Sequence, residues 1–401
     1  YNEGPLQACD HYHRYREDVA LMKKMGLKSY RFSVSWSRIL PDGTEKINQK
    51  GIEFYQSLVR ELKAAGIEPM VTLYHWDLPY ALYLQGGWKN PQIPDWFAAY
   101  TKIVVEALSD QVQYWMTLNE PQCFVGIGHL QGRHAPFLDE PASLRPVPRH
   151  VLLAHAKAVQ TIRQYAKLPP KVGYAPTGPV FSPCGDESEA AIAEAYRRTM
   201  EVEGCYSISW WCDPVLLGRV PEPMAKALGA DVFTPQELEL LHQPLDYLGF
   251  NVYNACAAQQ PGSEYTANTW QGSPRTAMEW PITPDCIYWA IRFLNQRYGR
   301  PILITENGMA NTDFVMLDGK VHDPQRIDYV HRHLLAARRA LQEGYPLIGY
   351  TYWSIMDNYE WAEGYSKRFG LIYVDYRTME RIPKDSAAWY AHVIATNGSE
   401  L

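Results

Sequence analysis

The segment Trp115–Pro121 has the sequence WMTLNEP, in which an apolar run ends at a glutamate, Glu120. The segment Ile302–Gly308, ILITENG, repeats this arrangement at Glu306. A strand of a parallel sheet is buried on both faces, so it is an apolar run with polar residues only at its end. A carboxylate buried at such an end is costly unless it is paired. These two segments therefore predict buried parallel strands, each with a functional glutamate at its carboxyl end.

Short β-rich runs alternate with longer helical patterns along the chain. The predicted strands are Tyr30–Trp36, Glu68–Tyr74, Val112–Leu118, Lys171–Tyr174, Leu245–Tyr253, Pro301–Thr305 and Leu347–Trp353. The predicted helices after them are Gln49–Ala65, Pro94–Leu108, Val147–Tyr165, Glu187–Trp211, Pro284–Tyr298, Asp323–Gly344 and Lys384–Thr396. Such alternation implies a parallel sheet covered by helices, and favours an α/β fold of the (β/α)8 TIM-barrel type in one catalytic domain over residues 1–401. The rival, a doubly wound sheet, is disfavoured because no Gly-rich phosphate loop follows the first strand.

The composition argues against several classes of protein. The chain has 401 residues, 46% of them hydrophobic, and a net charge of −6. Nucleic acids and anionic membranes favour a basic surface, so neither is an expected partner. No signal peptide and no apolar run of about 18 residues is visible, so we expect no membrane span and a cytoplasmic location. The seven cysteines are scattered and odd in number, which predicts free buried thiols. The sequence leaves a homo-oligomer open.

Glu120 and Glu306 are the candidate catalytic residues. Two carboxyl groups that face one pocket are what glycosidic bond cleavage requires. A separation of about 5–5.5 Å indicates retention and one of about 6.5–9.5 Å indicates inversion, and the sequence does not give the separation. A charged carboxylate raises the pKa of a neighbouring carboxyl group, which keeps the acid protonated.

An ionised nucleophile needs a nearby cation or hydrogen-bond donor. Arg31, on the first predicted strand, and Asn251 and Tyr253, at the end of the fifth, are the candidates for this support. The alternatives are a structural ion pair for Arg31 and a core tyrosine with a satisfied hydroxyl for Tyr253.

A further set of aromatic and polar residues at the predicted strand ends suits a sugar. Its members are His75, Trp76, Asn119, Trp353, Glu360 and Trp361. Tryptophan offers an apolar face and a hydrogen-bonding edge, and the polar members can bind hydroxyl groups. Each residue alone is more often structural, but together at a barrel mouth they predict a sugar-binding site. No metal site is predicted, because no second histidine follows His75 at i+4 and no cysteine cluster accompanies it.

These motifs resemble those of glycoside hydrolase family 1, the β-glucosidase family, over nearly the whole chain. The segments that carry the resemblance are Thr117–Pro121, Ile304–Gly308, Trp353–Tyr365, Tyr30–Ser33 and His75–Pro79. The resemblance implies a retaining mechanism on a (β/α)8 fold without a cofactor. It makes Glu120 the general acid/base and Glu306 the nucleophile.

The resemblance also implies roles in binding the glycone, the sugar residue that is transferred. Asn119 would hold its 2-hydroxyl, and His75 would contact the region of its 3-hydroxyl. Trp353 would stack under the ring, while Glu360 would bind the 4- and 6-hydroxyls beside Trp361. Members that cleave 6-phosphosugars usually lack this Glu-Trp pair, so an unphosphorylated glycone is favoured.

The start of the chain departs from the family pattern. The family's first strand carries a sugar-binding glutamine, whereas this chain opens at Tyr1-Asn2-Glu3-Gly4 and reaches a helix by about His13. We therefore expect a domain that is N-terminally incomplete, with the first β-strand absent and two strand edges left unpaired. Glycone binding or stability should then be weak unless something fills the gap, and a strand donated by a partner chain is one alternative.

The leading hypothesis is a retaining β-glucosidase acting on cello-oligosaccharides or aryl β-glucosides. One alternative is a catalytically silent sugar-binding protein of the same fold, and another is an enzyme that prefers β-galactosides or β-fucosides, because Glu360 can accept either orientation of the 4-hydroxyl. Aglycone preference is expected to lie in the loops Gln122–Leu138 and Gln259–Met278.

Overall fold

The computed structural model describes residues 4–258 and 272–401, so part of the predicted loop Gln259–Met278 and the residues Tyr1, Asn2 and Glu3 lie outside the described residues. The strands are β1 (Ser29–Ser33), β2 (Glu68–Tyr74), β3 (Tyr114–Asn119), β4 (Lys171–Ala175), β5 (Val180–Ser182), β6 (Leu248–Asn251), β7 (Ala255–Ala257), β8 (Ile302–Asn307), β9 (Leu347–Tyr352), β10 (Ile372–Asp375) and β11 (Glu380–Pro383). The helices are α1 (His11–Lys24), α2 (Trp36–Ile39), α3 (Gln49–Ala64), α4 (Tyr80–Leu84), α5 (Ile93–Leu108), α6 (Pro146–Tyr165), α7 (Glu189–Met200), α8 (Ile208–Leu216), α9 (Glu222–Leu228), α10 (Pro235–Leu241), α11 (Cys286–Tyr298), α12 (Pro324–Gln342) and α13 (Asp385–Ala395).

Parallel strands form the centre of the molecule. They pair in the order β1-β2-β3-β4 and in the order β6-β8-β9. The two groups meet where the amide of Asp246 donates to the carbonyl of Val172 at 2.9 Å and that of Asn251 to Pro176 at 3.0 Å. A cavity of about 440 Å³ lies between β1 and β9. Parallel strands joined through helices are the arrangement of the predicted barrel.

Helices cover the strands because apolar residues recur at helical spacing. In α3, Ile52, Tyr55, Leu58 and Leu62 are buried, which places them on one stripe of the helix. The strands beneath are consequently buried on both faces. In β2, every residue after Glu68 is buried.

The ladders become irregular at the carboxyl ends of the strands. The register shifts next to Asn119 in the β3–β4 pair, next to Asn251 in the β6–β8 pair and next to Asn307 in the β8–β9 pair. Glu120 follows Asn119 directly and has a φ of 43°, in the left-handed region that residues other than glycine rarely adopt. Bulges and left-handed residues re-aim side chains and are common beside active sites. The irregular backbone therefore coincides with the predicted catalytic residues.

Three predicted boundaries are wrong. The predicted helix Glu187–Trp211 is two helices, α7 and α8, because Gly204 adopts a φ of 79° in the turn between them. The predicted strand Tyr30–Trp36 ends before Trp36, which begins α2. The predicted strand Leu245–Tyr253 shrinks to β6. The pairs β5–β7 and β10–β11 were not predicted, because strands of three or four residues are too short to show a period.

The prediction that all the thiols are buried is wrong. Four are buried, namely Cys9, Cys205, Cys212 and Cys286, whereas Cys123 and Cys184 are half-buried and Cys256 is exposed. Within residues 4–258 and 272–401, none of the helices combines the length and the apolar character needed to cross a membrane.

The interior of the barrel leaves no room for a side chain at Gly173 on β4. A Cβ there would lie 2.2 Å from the ring of Tyr247. That ring is held because Tyr247 is buried and its hydroxyl donates to the carbonyl of Trp115 at 3.0 Å. Met116 and Leu303 belong to the same buried cluster. Close approach of the ring to the backbone therefore requires glycine.

We expect Gly173→Ala to lower the free energy of unfolding by about 1–3 kcal/mol, because the added methyl group overpacks the barrel interior. Urea denaturation of the wild type and the variant measures this change. In a Tyr247→Ala background the same substitution should cost less, because the ring that it meets is gone. Equal costs in the two backgrounds would contradict the packing argument.

Candidate active site

The two predicted catalytic glutamates lie at the carboxyl ends of two strands of the barrel, β3 and β8. Glu120 directly follows β3, and Glu306 is the penultimate residue of β8. Both are almost fully buried, with 7% and 4% of their surface exposed. Burial in a medium of low dielectric makes each negative charge costly unless it is paired or hydrogen-bonded. The partners of each carboxyl group therefore decide its protonation.

One hydrogen-bonded network connects the two carboxyl groups. Arg31 donates to Glu306 Oε1 at 2.6 Å and to Asn119 Oδ1 at 2.5 Å. Asn251 Nδ2 donates to the same Asn119 oxygen at 3.0 Å and to Glu120 Oε1 at 2.8 Å. The structure thus brings together five of the residues that the sequence singled out.

Glu306 receives a second strong donor on its other oxygen. The hydroxyl of Tyr253 donates to Glu306 Oε2 at 2.7 Å. Burial, followed by the charge of Glu306, raises the pKa of Tyr253 well above its ordinary value, so the phenol keeps its proton and donates. Arg31 is held from below by Thr72, to whose hydroxyl its Nε donates at 3.1 Å. Glu306 therefore accepts hydrogen bonds from a cation and a phenol, both of which stabilise its charged form.

Glu120 has weaker hydrogen-bond partners, and its pKa is raised. Burial, and then the charge of Glu306, raise its pKa to about 7, while the hydrogen bonds from Asn251 and Cys123 act in the opposite direction. The predicted direction of the shift is confirmed, but its main cause is burial rather than the proximity of the second carboxylate. Glu120 is thus the group that can hold a proton near neutral pH.

The sequence reasoning missed one contact of Glu120. The thiol of Cys123 donates to Glu120 Oε2 at 3.2 Å. Cys123 begins a π-helical segment, Cys123–Leu130, that follows the strand end. A spacing of three residues after a glutamate was a signal for such a contact, but only the helical turn after Pro121 brings the thiol back to the carboxyl group.

Aromatic rings lie close to this network. The ring of His75 is stacked with Trp353, at 5.7 Å between centroids, and with Trp361, at 6.1 Å. Trp76 lies 5.0 Å from Trp361, and its indole N–H donates to the carbonyl of Asn119 at 3.0 Å. The structure therefore brings the predicted aromatic residues of the sugar site together beside the catalytic pair.

His75 is neutral and has a defined hydrogen bond. Burial, and then the charge of Arg31, lower its pKa to about 3. Asn119 Oδ1 accepts from Arg31 and Asn251, so its amide nitrogen is the group 3.2 Å from His75 Nε2. The amide therefore donates to Nε2, which assigns the proton of the ring to Nδ1.

Glu360 is a half-buried carboxyl group in the same region. Burial, and then the charge of Glu306, raise its pKa to about 8. At neutral pH it is therefore mostly protonated, and it can both donate and accept a hydrogen bond. The next residue, Trp361, has a φ of 46°, which turns the chain sharply at this point.

Comparison with known proteins identifies the family. The model of glycosyl hydrolase family 1 matches residues 3–399. β-Glucosidase A from Thermotoga maritima is 43% identical over 401 residues, which cover 98% of this chain and 88% of that protein. The 1,4-β-D-glucan glucohydrolase from Thermotoga neapolitana is 42% identical over 398 residues, and β-glucosidase A from Acetivibrio thermocellus is 41% identical over 401, each with the same coverage of 98% and 88%.

Solved structures agree with this assignment. The β-glucosidase from Thermotoga maritima in complex with glucoimidazole matches with a TM-score of 0.88 at 41% identity, covering 98% of this chain and 88% of that one. The same enzyme in complex with deoxynojirimycin also matches with a TM-score of 0.88. The predicted (β/α)8 barrel and the predicted family are both confirmed, and the chain belongs to glycosyl hydrolase family 1.

Proposed function

We propose that this chain is a retaining β-glucosidase that releases terminal non-reducing β-D-glucosyl residues from short β-glucosides, such as cello-oligosaccharides and aryl glucosides. The observation that carries the proposal is the asymmetry of the two buried carboxyl groups. Glu120 has a pKa raised to about 7, whereas Glu306 is paired with Arg31 and Tyr253. A proton donor and an ionised nucleophile in one network are the pair that retaining hydrolysis uses.

The first step forms a covalent intermediate. The Glu306 carboxylate attacks the anomeric carbon while Glu120 gives its proton to the glycosidic oxygen, so that the C–O bond breaks and the aglycone leaves as an alcohol. The glycosyl group is then an ester of Glu306. Because the ester is neutral, the charge that helped to raise the pKa of Glu120 disappears, so this pKa falls and Glu120 stays ionised, in the form that can accept a proton.

The second step returns the enzyme to its first state. The ionised Glu120 takes a proton from water, and the water oxygen attacks the anomeric carbon and releases Glu306. Each step inverts the configuration at that carbon, so the product retains it. When the ester breaks, the Glu306 carboxylate is released with its negative charge. Arg31 and Tyr253 stabilise that charge through the same hydrogen bonds that they make to Glu306 in the free enzyme.

The relatives and the aromatic residues support a glucoside as the substrate. Three similar proteins are named β-glucosidase or glucan glucohydrolase. His75, Trp353 and Trp361 offer flat surfaces, and Glu360 in its neutral form can donate to one hydroxyl and accept from another. A preference for β-galactosides or β-fucosides remains the second candidate, because such a group can meet a 4-hydroxyl of either orientation. A comparison of kcat/KM for the three aryl glycosides distinguishes them, and we expect the glucoside to be preferred.

Two further expectations, on the cellular location and the oligomeric state, accompany this proposal. A cytoplasmic location is supported by the absence of disulfides among the described cysteines. A homo-oligomer also stays a prediction, which sedimentation of the purified chain would test.

We expect Glu306→Gly to lower turnover of an aryl β-glucoside by about 10⁴-fold or more, because the intermediate can no longer form. Added azide should restore turnover by entering the space left by the carboxylate, and the product should be the α-glucosyl azide. NMR of the product measures its configuration. A wild type without turnover, or a variant as active as the wild type, would reject the proposed function.

Glu120→Ala is the matched variant for the other carboxyl group. Azide should again accelerate turnover of a substrate with a good leaving group, but here it attacks the intermediate on Glu306 and should give the β-glucosyl azide. The loss without azide should be about 10²–10⁴-fold for a poor leaving group, which needs the proton most. The same azide anomer from both variants would contradict the assignment of roles.

We expect kcat/KM to fall as the pH rises through about 7, because Glu120 must carry its proton and its pKa is raised to about 7.

Cys123→Ala removes a donor that favours the ionised carboxylate, so the pKa of Glu120 should rise and the alkaline limb of this pH profile should move to higher pH by about half a unit. Cys123→Ser keeps a donor and should return the limb to the wild-type position or below it. Cys212→Ala, at a buried thiol in α8, is the control that should not move the limb. An unmoved limb in Cys123→Ala would show that the thiol does not influence the acid.

A further inference from the structure

The residues 353–371, which we call the glycone loop, connect β9 to β10 and carry Trp353, Glu360 and Trp361. The two ends of the loop are joined by backbone hydrogen bonds, from Leu371 to Ser354 at 3.0 Å and from Ile372 to Ile355 at 2.9 Å. The loop is therefore anchored at its base, and the position of its middle part depends on what holds it there.

Asp357 anchors the glycone loop three residues before Glu360. Its carboxylate accepts from the amide of Gly370 at 2.9 Å, from Arg368 at 2.7 Å and from Lys384 at 2.8 Å. Gly370 leaves no room for a side chain, because a Cβ there would lie 2.1 Å from the nitrogen of Asp357. One carboxylate thus fixes both the outgoing and the returning arms of the loop.

Lys384 connects this carboxylate to the body of the barrel. It lies directly before α13, its side chain is 0% exposed, and its ammonium group bridges Asp357 at 2.8 Å and Asp313 at 2.5 Å. Arg326 of α12 donates to the same Asp313 oxygen at 2.7 Å and to the carbonyl of Arg368 at 2.9 Å. The loop is therefore tied to two helices through charged side chains.

These contacts form an ion cluster whose members are Asp313, Asp323, Arg326, Asp357, Arg368 and Lys384. Three carboxylates balance three cations. Burial lowers the pKa of Lys384 from its ordinary value, although the charge of Asp357 acts in the opposite direction. Burial acts to raise the pKa of Asp313, but the charges of Lys384 and Arg326 outweigh it, so this pKa is lowered. A buried set of charges is weak as a source of stability but is strongly directional, which suits it to fixing one geometry.

We propose that Lys384, acting through Asp357, is a positioning residue that sets the place of Glu360 and Trp361, and with it the discrimination of the enzyme for the outer substituents of the glycone. The inference rests on the proposed β-glucosidase function. Lys384 itself touches no substrate in this proposal. Its loss should let the middle of the glycone loop move while Glu120 and Glu306, which are fixed at strand ends by a separate network, keep their places.

The test compares an aryl β-glucoside with the aryl β-xyloside, which lacks the exocyclic CH₂OH group. In Lys384→Met, the ratio of kcat/KM for the glucoside to kcat/KM for the xyloside should fall about tenfold, because the 6-hydroxyl, whose contact with Glu360 the displaced loop weakens, is present only in the glucoside. Both substrates are measured on the same preparation, so the fraction of folded enzyme cancels in the ratio. An unchanged ratio, with both rates lowered equally, would overturn the proposal and leave Lys384 a purely structural residue.

A second variant covers the case in which Lys384→Met does not fold. Lys384→Arg keeps the charge, but a planar guanidinium cannot bridge two carboxylates in the geometry of an ammonium group. Its ratio should fall in the same direction by about twofold or more, and an unchanged ratio in this folded variant would also overturn the proposal.

The matched control breaks another buried ion pair that is not attached to the glycone loop. Asp213 of α8 is 0% exposed and is bound by Arg297 of α11 at 2.5 Å. Asp213→Asn should lower the melting temperature but leave the ratio of the two substrates at the wild-type value. A control ratio that falls as far as that of Lys384→Met would contradict a specific role for Lys384. Absence of turnover in the wild type is a different result, which rejects the proposed function itself.

Discussion

The ion pair between Arg31 and Glu306 is the interaction on which the candidate site depends. Both side chains are almost completely buried, with 6% and 5% exposed, so either charge alone would be very costly. The fork of a guanidinium can bind two groups in fixed directions, and here it reaches Glu306 and Asn119 together. Arg31 comes from β1, Asn119 from β3 and Glu306 from β8. Glu306, the proposed nucleophile, is thus placed by three strands of the barrel, which are more rigid supports than loops.

The two buried carboxyl groups at the strand ends differ in their hydrogen-bond partners. Glu306 accepts hydrogen bonds from the guanidinium of Arg31 and the phenol of Tyr253, and both donors offset the loss of hydration of its carboxylate. Glu120 accepts hydrogen bonds from the neutral amide of Asn251 and the weakly donating thiol of Cys123. The effect of burial therefore exceeds that of these hydrogen bonds, and the pKa of Glu120 rises to about 7. Hydrogen bonds from charged donors are roughly twice as strong as those from neutral ones. In the proposed mechanism, the distinction between acid and nucleophile therefore follows from which of the two buried carboxyl groups faces the arginine.

The sequence predicts the elements that follow from a single segment, and it does not predict those that need distant segments to meet. The apolar runs before Glu120 and Glu306 are enough to place both residues at strand ends, and the alternation of strands and helices is enough for the barrel. Arg31 could be proposed as a partner because an ionised nucleophile needs one. The thiol contact of Cys123 could not, because it depends on the helical turn that follows. The ion cluster around Lys384 is further from prediction, since its members come from separate stretches between residues 313 and 384.

The site combines two kinds of support, and each suits the residues that it holds. Glu120 and Glu306 belong to strand ends, where the backbone ladder fixes position. Glu360 and Trp361 lie in the glycone loop and have no such ladder beside them. Apolar packing is non-directional and would fix a loop less sharply than charges that must meet at defined angles. This difference gives a physical reason for an ion cluster under the loop, even though replacing buried ion pairs by apolar groups is often neutral or favourable for stability. In the proposed arrangement the charges contribute geometry: they fix the position of the Glu360 carboxyl group relative to Glu306, whose charge also acts on it.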